Sequence, residues 1–523
     1  MAQGLRPQGD FKAKLLAALA AVALGDALIR GQTGPVGALL LVLPALALIT
    51  RPALRHDRRA WPWLGLAMAM ALALLWRPGP IAWCVYWTYL GIGALMPTVA
   101  RPGDAWQWMQ RLAQLGVRAS VAPVLDLQRL FRVRARRGVP ALGDLVARLA
   151  LPVIGSAVIV ALFSAANPVI EAWLGRLLNP PWTQDWGSRL TLWLVLFTLV
   201  WGVLRPRILL RIYGTCVDHG TTALPGVSVA SVFTSLITFN ALFALQNAMD
   251  LAWLWGLVPL PQGMTLAAYA HRGAYPLIVT ALLAAAFVLV ALRPGSATAA
   301  HTPIRWLVVV WIMQNVLLVA SAALRTLDYV AAYSLTAWRI AALLWMALVA
   351  LGLVLVCWRM IRGNSASWLI NANAAAALAL VSGCCWVDLD EIAARYNIDH
   401  ARELGGSGPP LDICYLQQSG ASALLPAVEL ERRRAPEAIH LWAQILRQNA
   451  QAALARDQAG ALWSLQGALR ARALPPSVQH SPMAAITAGC EIRDVHTLRA
   501  IVGLDRDRGG LPSAAPLTIP ARP

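Results

Sequence analysis

Residues 340–358 read IAALLWMALVALGLVLVCW, with no charged side chain between Arg339 and Arg359. As a helix, about 20 apolar residues cross the hydrocarbon core of a bilayer, and about 17 suffice. This stretch meets that length, and ten further apolar runs resemble it. They centre on 15–29, 36–50, 62–76, 79–99, 149–165, 190–204, 227–248, 275–292, 304–322 and 366–383. The first three and 190–204 are short, so polar flanks must complete them. The expected fold class is all-α. It is a polytopic transmembrane helix bundle of about eleven spans in residues 1–383. A helical extramembrane tail follows at 384–502, then a disordered C-terminus at 503–523, rich in Gly, Pro and Ala.

The charges between these runs set an orientation. Residues 1–383 hold 30 of the 44 Lys+Arg and 11 of the 25 acids, so the most apolar part carries the whole net charge of +19. The N-terminus and every second loop together hold 23 basic residues, and the remaining loops hold 7. Cytoplasmic loops carry such an excess. This predicts a cytoplasmic N-terminus and, with an odd number of spans, a periplasmic tail on a bacterial inner membrane.

A hydrophobic content of 58%, a charged content of 13% and a mean hydropathy of +0.58 lie outside the globular norm. The 23 Trp suit a membrane–water interface. A pI near 10.7 would suit nucleic acid, but the basic residues are scattered through short loops, which excludes that partner. Lys12 and Lys14 ahead of an apolar run resemble a signal peptide. Asp26 within that run, and a second run directly after it, favour an uncleaved first helix.

The largest inside loop, 100–148, holds nine Arg, among them Arg101, Arg111, Arg118 and Arg129. Trp106, Met109, Leu112 and Leu115 recur there at near-helical spacing. An amphipathic helix on the inner leaflet, facing anionic lipid, is one reading. Topological anchoring by Arg alone is the other. In the tail, helices are expected at Asp388–His400, Leu411–Leu430 and about Gly460–Ala473. Pro436 should open another, with Ile439, Trp442, Ile445 and Leu446 on one side. Cys384, Cys385, Cys414 and Cys490 would face an oxidising compartment. Up to two disulfides or four free thiols are open, and spacing cannot choose.

Polar groups at membrane depth are costly and usually face protein or a wet cavity. Here Asn240, Gln246, Asn247 and Asp250 lie in span seven, and Gln314 and Asn315 in span nine. Asp328, Tyr333, Thr336 and Arg339 lead into span ten, and Tyr269, His271 and Arg272 lie in the loop before span eight. Asp250 and Arg272 are the expected ion pair, and Asp328 and Arg339 would share a helical face. These residues form a candidate outward-facing pocket, or alternatively interhelical hydrogen bonds that fix packing. No phosphate loop, catalytic Ser elbow or metal-ligand spacing is present, so no catalytic residue, metal or cofactor is assigned.

Several stretches resemble an uncharacterised family of bacterial integral membrane proteins, known only as a domain of unknown function. They are Asn240–Asp250, Gly263–Gly273 with its Tyr-x-x-Arg-Gly, and Ala332–Arg339 with its Tyr-x-Leu-Thr-x-x-Arg. Ala394–Asn397 and Leu411–Leu416 continue the pattern, and Gly25-Asp26 is a weaker echo. The resemblance covers about 225–425 and implies membrane location and architecture, not a reaction. In that family a Glu precedes the first Tyr and a Gly follows the second; here they are Ala268 and Ser334. If that Glu served ion coupling, its loss argues against coupling here. The leading expectation is a non-enzymatic protein of envelope maintenance or signalling, acting through an envelope protein partner. A transporter or flippase using spans seven to ten is the alternative, and a membrane-bound transferase the third.

Overall fold

The computed structural model describes residues 7–30, 36–135, 186–206, 212–213, 228–254, 297–460, 463–474, 489–490 and 494–502, with 156, 283, 287 and 492 besides. Among the described residues there is no strand. Among the described residues, eleven helices of five or more residues belong to the apolar part. They are α1 (Pro7–Arg30), α2 (Val36–Thr50), α3 (Pro52–His56), α4 (Trp61–Trp76), α5 (Pro80–Leu95), α6 (Ala105–Ala135), α7 (Trp186–Leu204), α8 (Val229–Leu254), α9 (Thr302–Tyr333), α10 (Ala337–Arg362) and α11 (Ala366–Cys384). Helices α4 and α7–α11 are long and apolar enough to cross a membrane. The chain is a polytopic helical membrane protein. The spans expected at 149–165 and 275–292 lie outside the described residues, apart from 156, 283 and 287.

The cores follow from residue size. Helices α1, α2, α4, α5 and α7 share one core built from Ala and Leu. Small residues let these backbones approach, as in membrane bundles generally. A Cβ on Gly37 would stand 3.0 Å from the Leu75 backbone N, and one on Gly202 would stand 2.6 Å from Ala119 Cβ. A second core joins α8 to α11 around Trp311, whose ring lies 5.3–5.7 Å from those of Phe239, Phe243 and Phe287. Helix α11 links the two. It meets α5 through Tyr89 and Ser382 (2.8 Å) and α6 through Ser367 and Asp104 (3.3 Å).

Polar contacts between elements gather at two ends of the bundle. At one end Arg51 donates to Ala94 O and Val203 O, the last turns of α5 and α7, where carbonyls lack helical partners. Arg305 reaches Met360 O there, and Asp126 of α6 binds Arg205. At the other end Asp26 binds Arg189, Arg77 meets Asp388, and Asp250 binds Arg325. Trp338 and Trp358 of α10 are both exposed, and 20 residues separate them. That is about 30 Å, one hydrocarbon thickness.

Helix α6 runs beside α5, α7 and α11 and splits the expected stripe. Leu112 and Leu115 pack where Gly91 of α5 leaves room, whereas Trp106 and Met109 are exposed.

The tail forms α12 (Leu389–His400), α13 (Ile413–Gln418), α14 (Leu424–Arg432), α15 (Glu437–Gln458), α16 (Leu465–Ala473) and α17 (Val495–Val502). Pro436 precedes α15, which buries Trp442, Ile445 and Leu446. The helix expected over Leu411–Leu430 is two helices. Asp412 caps α13, a short 3-10 turn with Gly420 at φ +54° breaks the run, and α14 follows. The helix expected from Gly460 begins at Leu465, because Ser464 caps it. Cys414 and Cys490 form a disulfide, and Cys384 and Cys385 are free thiols.

Candidate functional site at the tail-bearing ends of the membrane helices

Helices α8 and α9 run parallel, and a ladder of amides joins them. The Asn240 amide donates to Leu307 O (3.1 Å), and Asn247, seven residues on, donates to Gln314 O (3.3 Å). Gln314 in turn donates to Asn240 Oδ1 (2.8 Å). Above the ladder Asp250, 3% exposed, accepts from Arg325 (2.5 Å), Ser321 (3.1 Å) and Gln246 (3.1 Å). The Asn315 side chain turns away to Trp311 O. Tyr269, His271 and Arg272, with the expected Asp250–Arg272 pair, lie outside the described residues; among the described residues Asp250 binds Arg325. Arg325 was legible in one respect: Gln314, Ser321 and Arg325 recur at 7 and 4 residues, one helical face.

Tyr333, Thr336 and Arg339 sit apart from that seam, in the turn between α9 and α10. Ser334 ends α9 at φ +71° and ψ +164°, a conformation nearly reserved for glycine. Thr336 caps α10 by accepting from the Arg339 N–H (3.4 Å). The Arg339 guanidinium donates back to Tyr333 O and Ser334 O and lies 4.1 Å over the Tyr329 ring. Asp328 is therefore on α9 and Arg339 on α10, and the helical face expected to join them does not exist.

The tail grips this turn. Asn397 of α12 both accepts from Leu335 N–H (2.6 Å) and donates to Leu335 O (2.8 Å). The Tyr415 hydroxyl accepts from Ala337 N–H (3.0 Å), a first-turn amide with no helical partner, and donates to Asp390 (3.1 Å). Burial, aided by the Asp390 charge, pushes that hydroxyl up to about 12, so it stays a donor at neutral pH. Beside it Asp388 caps α12 and binds Arg77 (3.2 Å), Arg470 (2.6 Å) and Ser422 (2.8 Å). Burial raises the Asp388 carboxyl, but the two arginines and Ser422 outweigh it and hold it below its ordinary 3.8. Its contribution is thus complete above that value and lost as pH falls through the lower folded one.

Between the turn and the tail lies a cleft of about 760 Å³. Tyr333 and Ser334 line it from the turn, and Pro409, Pro410, Ile439 and Trp442 from the tail, with the Cys414–Cys490 bridge in its wall. Of the residues expected to form an outward pocket, Tyr333 alone lines it among those described.

Residues 64–430 match the family described as Domain of unknown function (DUF4153), and the chain belongs to that family. The match begins in α4, far ahead of the stretch where the resemblance was read, and ends within α14. No curated protein and no solved structure matches the chain.

Proposed function

We propose that this chain is a non-enzymatic protein of the bacterial inner membrane, N-terminus cytoplasmic, whose bundle holds a disulfide-bridged helical domain on the periplasmic face. There it serves envelope maintenance or signalling, with the cleft receiving an envelope protein partner. The observation that carries this reading is convergence. The stretches Ala332–Arg339, Ala394–Asn397 and Leu411–Leu416, far apart in sequence, meet as one latch between tail and bundle. The excess of basic residues at the opposite end supports the orientation, and a bridge in the tail suits an oxidising compartment. Helix α6, with Trp106 and Met109 exposed at that basic end, would rest on anionic lipid of the inner leaflet. Alkaline phosphatase and a green fluorescent protein, fused separately after Pro523, test the reading. The phosphatase should be active and the fluorophore dark, and a maleimide-polyethylene glycol should label Cys414 and Cys490 only after reduction. A bright fluorophore with an inactive phosphatase would overturn it.

Transport is the second reading, and one observation favours it. The buried oxygens Asn247 Oδ1 and Gln314 Oε1 accept no hydrogen bond among the described residues. Buried polar atoms usually do. A transporter should lose flux but stay folded on Asp250→Asn, whereas a scaffold should lose stability or tolerate it.

A further inference from the structure

The cleft has a chemical bias that its apolar walls hide. Pro409, Pro410, Ile413, Ile439 and Trp442 supply the apolar surface. The charged lining is Glu403 and Asp412 and, among the described residues, contains no Lys, Arg or His. Both carboxylates already serve the backbone with one oxygen. Glu403 Oε2 accepts from Leu411 N–H (3.0 Å), and Asp412 Oδ1 accepts from Tyr415 N–H (2.9 Å). Among the described residues neither forms a salt bridge. Asp457 and Asp494 of the tail likewise form none, whereas Asp388, Glu391, Asp399, Glu429, Glu431 and Glu437 each bind an arginine. Among the described residues, two acids thus stand without a basic neighbour on the walls of one cavity.

We propose that the cleft binds an extended segment of an envelope protein that presents a Lys or Arg side chain among apolar residues. This names the ligand chemistry of the site described above and rests on that reading of the cleft. A volume of about 760 Å³ lies within the range of roughly 300–1,000 Å³ typical of pockets that enclose a ligand. Its walls take apolar side chains, and the two carboxylates take the cation. A phospholipid headgroup fits less well, because its phosphate would face two carboxylates and no described cation. A peptide C-terminus is disfavoured for the same reason.

The test uses full-length protein in phosphatidylglycerol nanodiscs. The probes are three fluorescein-labelled, capped hexapeptides: five leucines and one central lysine, glutamate or norleucine. Anisotropy should show the lysine peptide binding about tenfold tighter than the glutamate peptide, with the gap shrinking as salt rises. The paired variant Glu403→Gln, Asp412→Asn should reduce that gap to within about twofold and leave the norleucine peptide unchanged. Both replacements keep their backbone bonds, since Asn also caps helices and Gln still accepts from Leu411. Formation of the Cys414–Cys490 bridge reports that the variant tail is folded. Equal binding of the three peptides, or a gap that survives in the variant, would overturn the proposal. So would competition by phosphatidylethanolamine in place of phosphatidylglycerol, which would identify a lipid amine as the occupant. Failure here leaves the periplasmic placement standing. A cytoplasmic tail in the fusion assay would remove the functional reading even if the peptides bind.

Discussion

The α8–α9 seam and the tail latch use the same side chains on different partners. In the seam, amides and a buried carboxylate meet another helix. In the latch, Asn397 and Tyr415 meet the backbone of a turn, close to water. A seam contact should therefore be costly to break from one side and cheap to replace whole. A latch contact should cost only its own hydrogen bonds, and breaking it should release the tail and not the bundle.

The largest effect is expected at Arg325. Arg325→Met leaves the Asp250 carboxylate buried against Ser321 and Gln246 without its cation. Removing one partner of a buried pair costs about 4 kcal/mol, so the purified protein should melt well below the parent in detergent. Adding Asp250→Leu should recover most of that loss, because a buried pair replaced by apolar residues is often neutral. By contrast the Asn240 rung of the ladder should contribute only about 0.6 kcal/mol, the usual size of an interhelical bond in a membrane. If the double variant is as unstable as Arg325→Met alone, the pair is not the reason the seam holds.

Asn397→Ala removes both bonds to Leu335. At a net of about 1 kcal/mol for each, the tail should lose about 2 kcal/mol of docking. Limited proteolysis should then cut between Cys384 and Leu389 in the variant and not in the parent. The melting of the membrane bundle should hardly move. A fall in bundle stability equal to the fall in protection would merge latch and seam into one unit.

The same contrast explains what could be read from the chain alone. The membrane class was legible because 19 residues such as 340–358 have only one stable home. The polar positions of the seam were legible because an amide or carboxylate in an apolar run stands out. Their partners were not. Asp250 pairs with a residue 75 positions away, and Arg325 lies past the apolar run 304–322, on an α9 of 32 residues, about 48 Å long. Asp26 likewise has its partner far off in sequence, since Arg189 binds it across 163 residues. The latch was marked on both sides, but not as a contact. Asn397 and Tyr415 stand in stretches that resemble the family, but what they touch is peptide backbone, which has no sequence signature. The break at Ser334 was hidden as well, because the φ of a serine is not written in its name.

That serine gives the smallest effect and the finest test of the latch. Ser334 adopts φ +71° with ψ +164°. A side chain there costs about 1 to 3 kcal/mol. Glycine would relieve that strain, while its freer unfolded chain returns about 0.5 to 1 kcal/mol. Ser334→Gly should therefore stabilise the turn by about 1 kcal/mol. The latch holds the neighbouring residue through both Leu335 N–H and O, with Arg339 bound to the Ser334 carbonyl. These contacts keep the serine in its strained form. In the Asn397→Ala background one of the two restraints is gone, and serine can relax more freely. The gain from glycine should then shrink. An equal gain in both backgrounds, measured by the same melts, would mean that the α9–α10 turn is set by its own arginine and that the tail only rests on it.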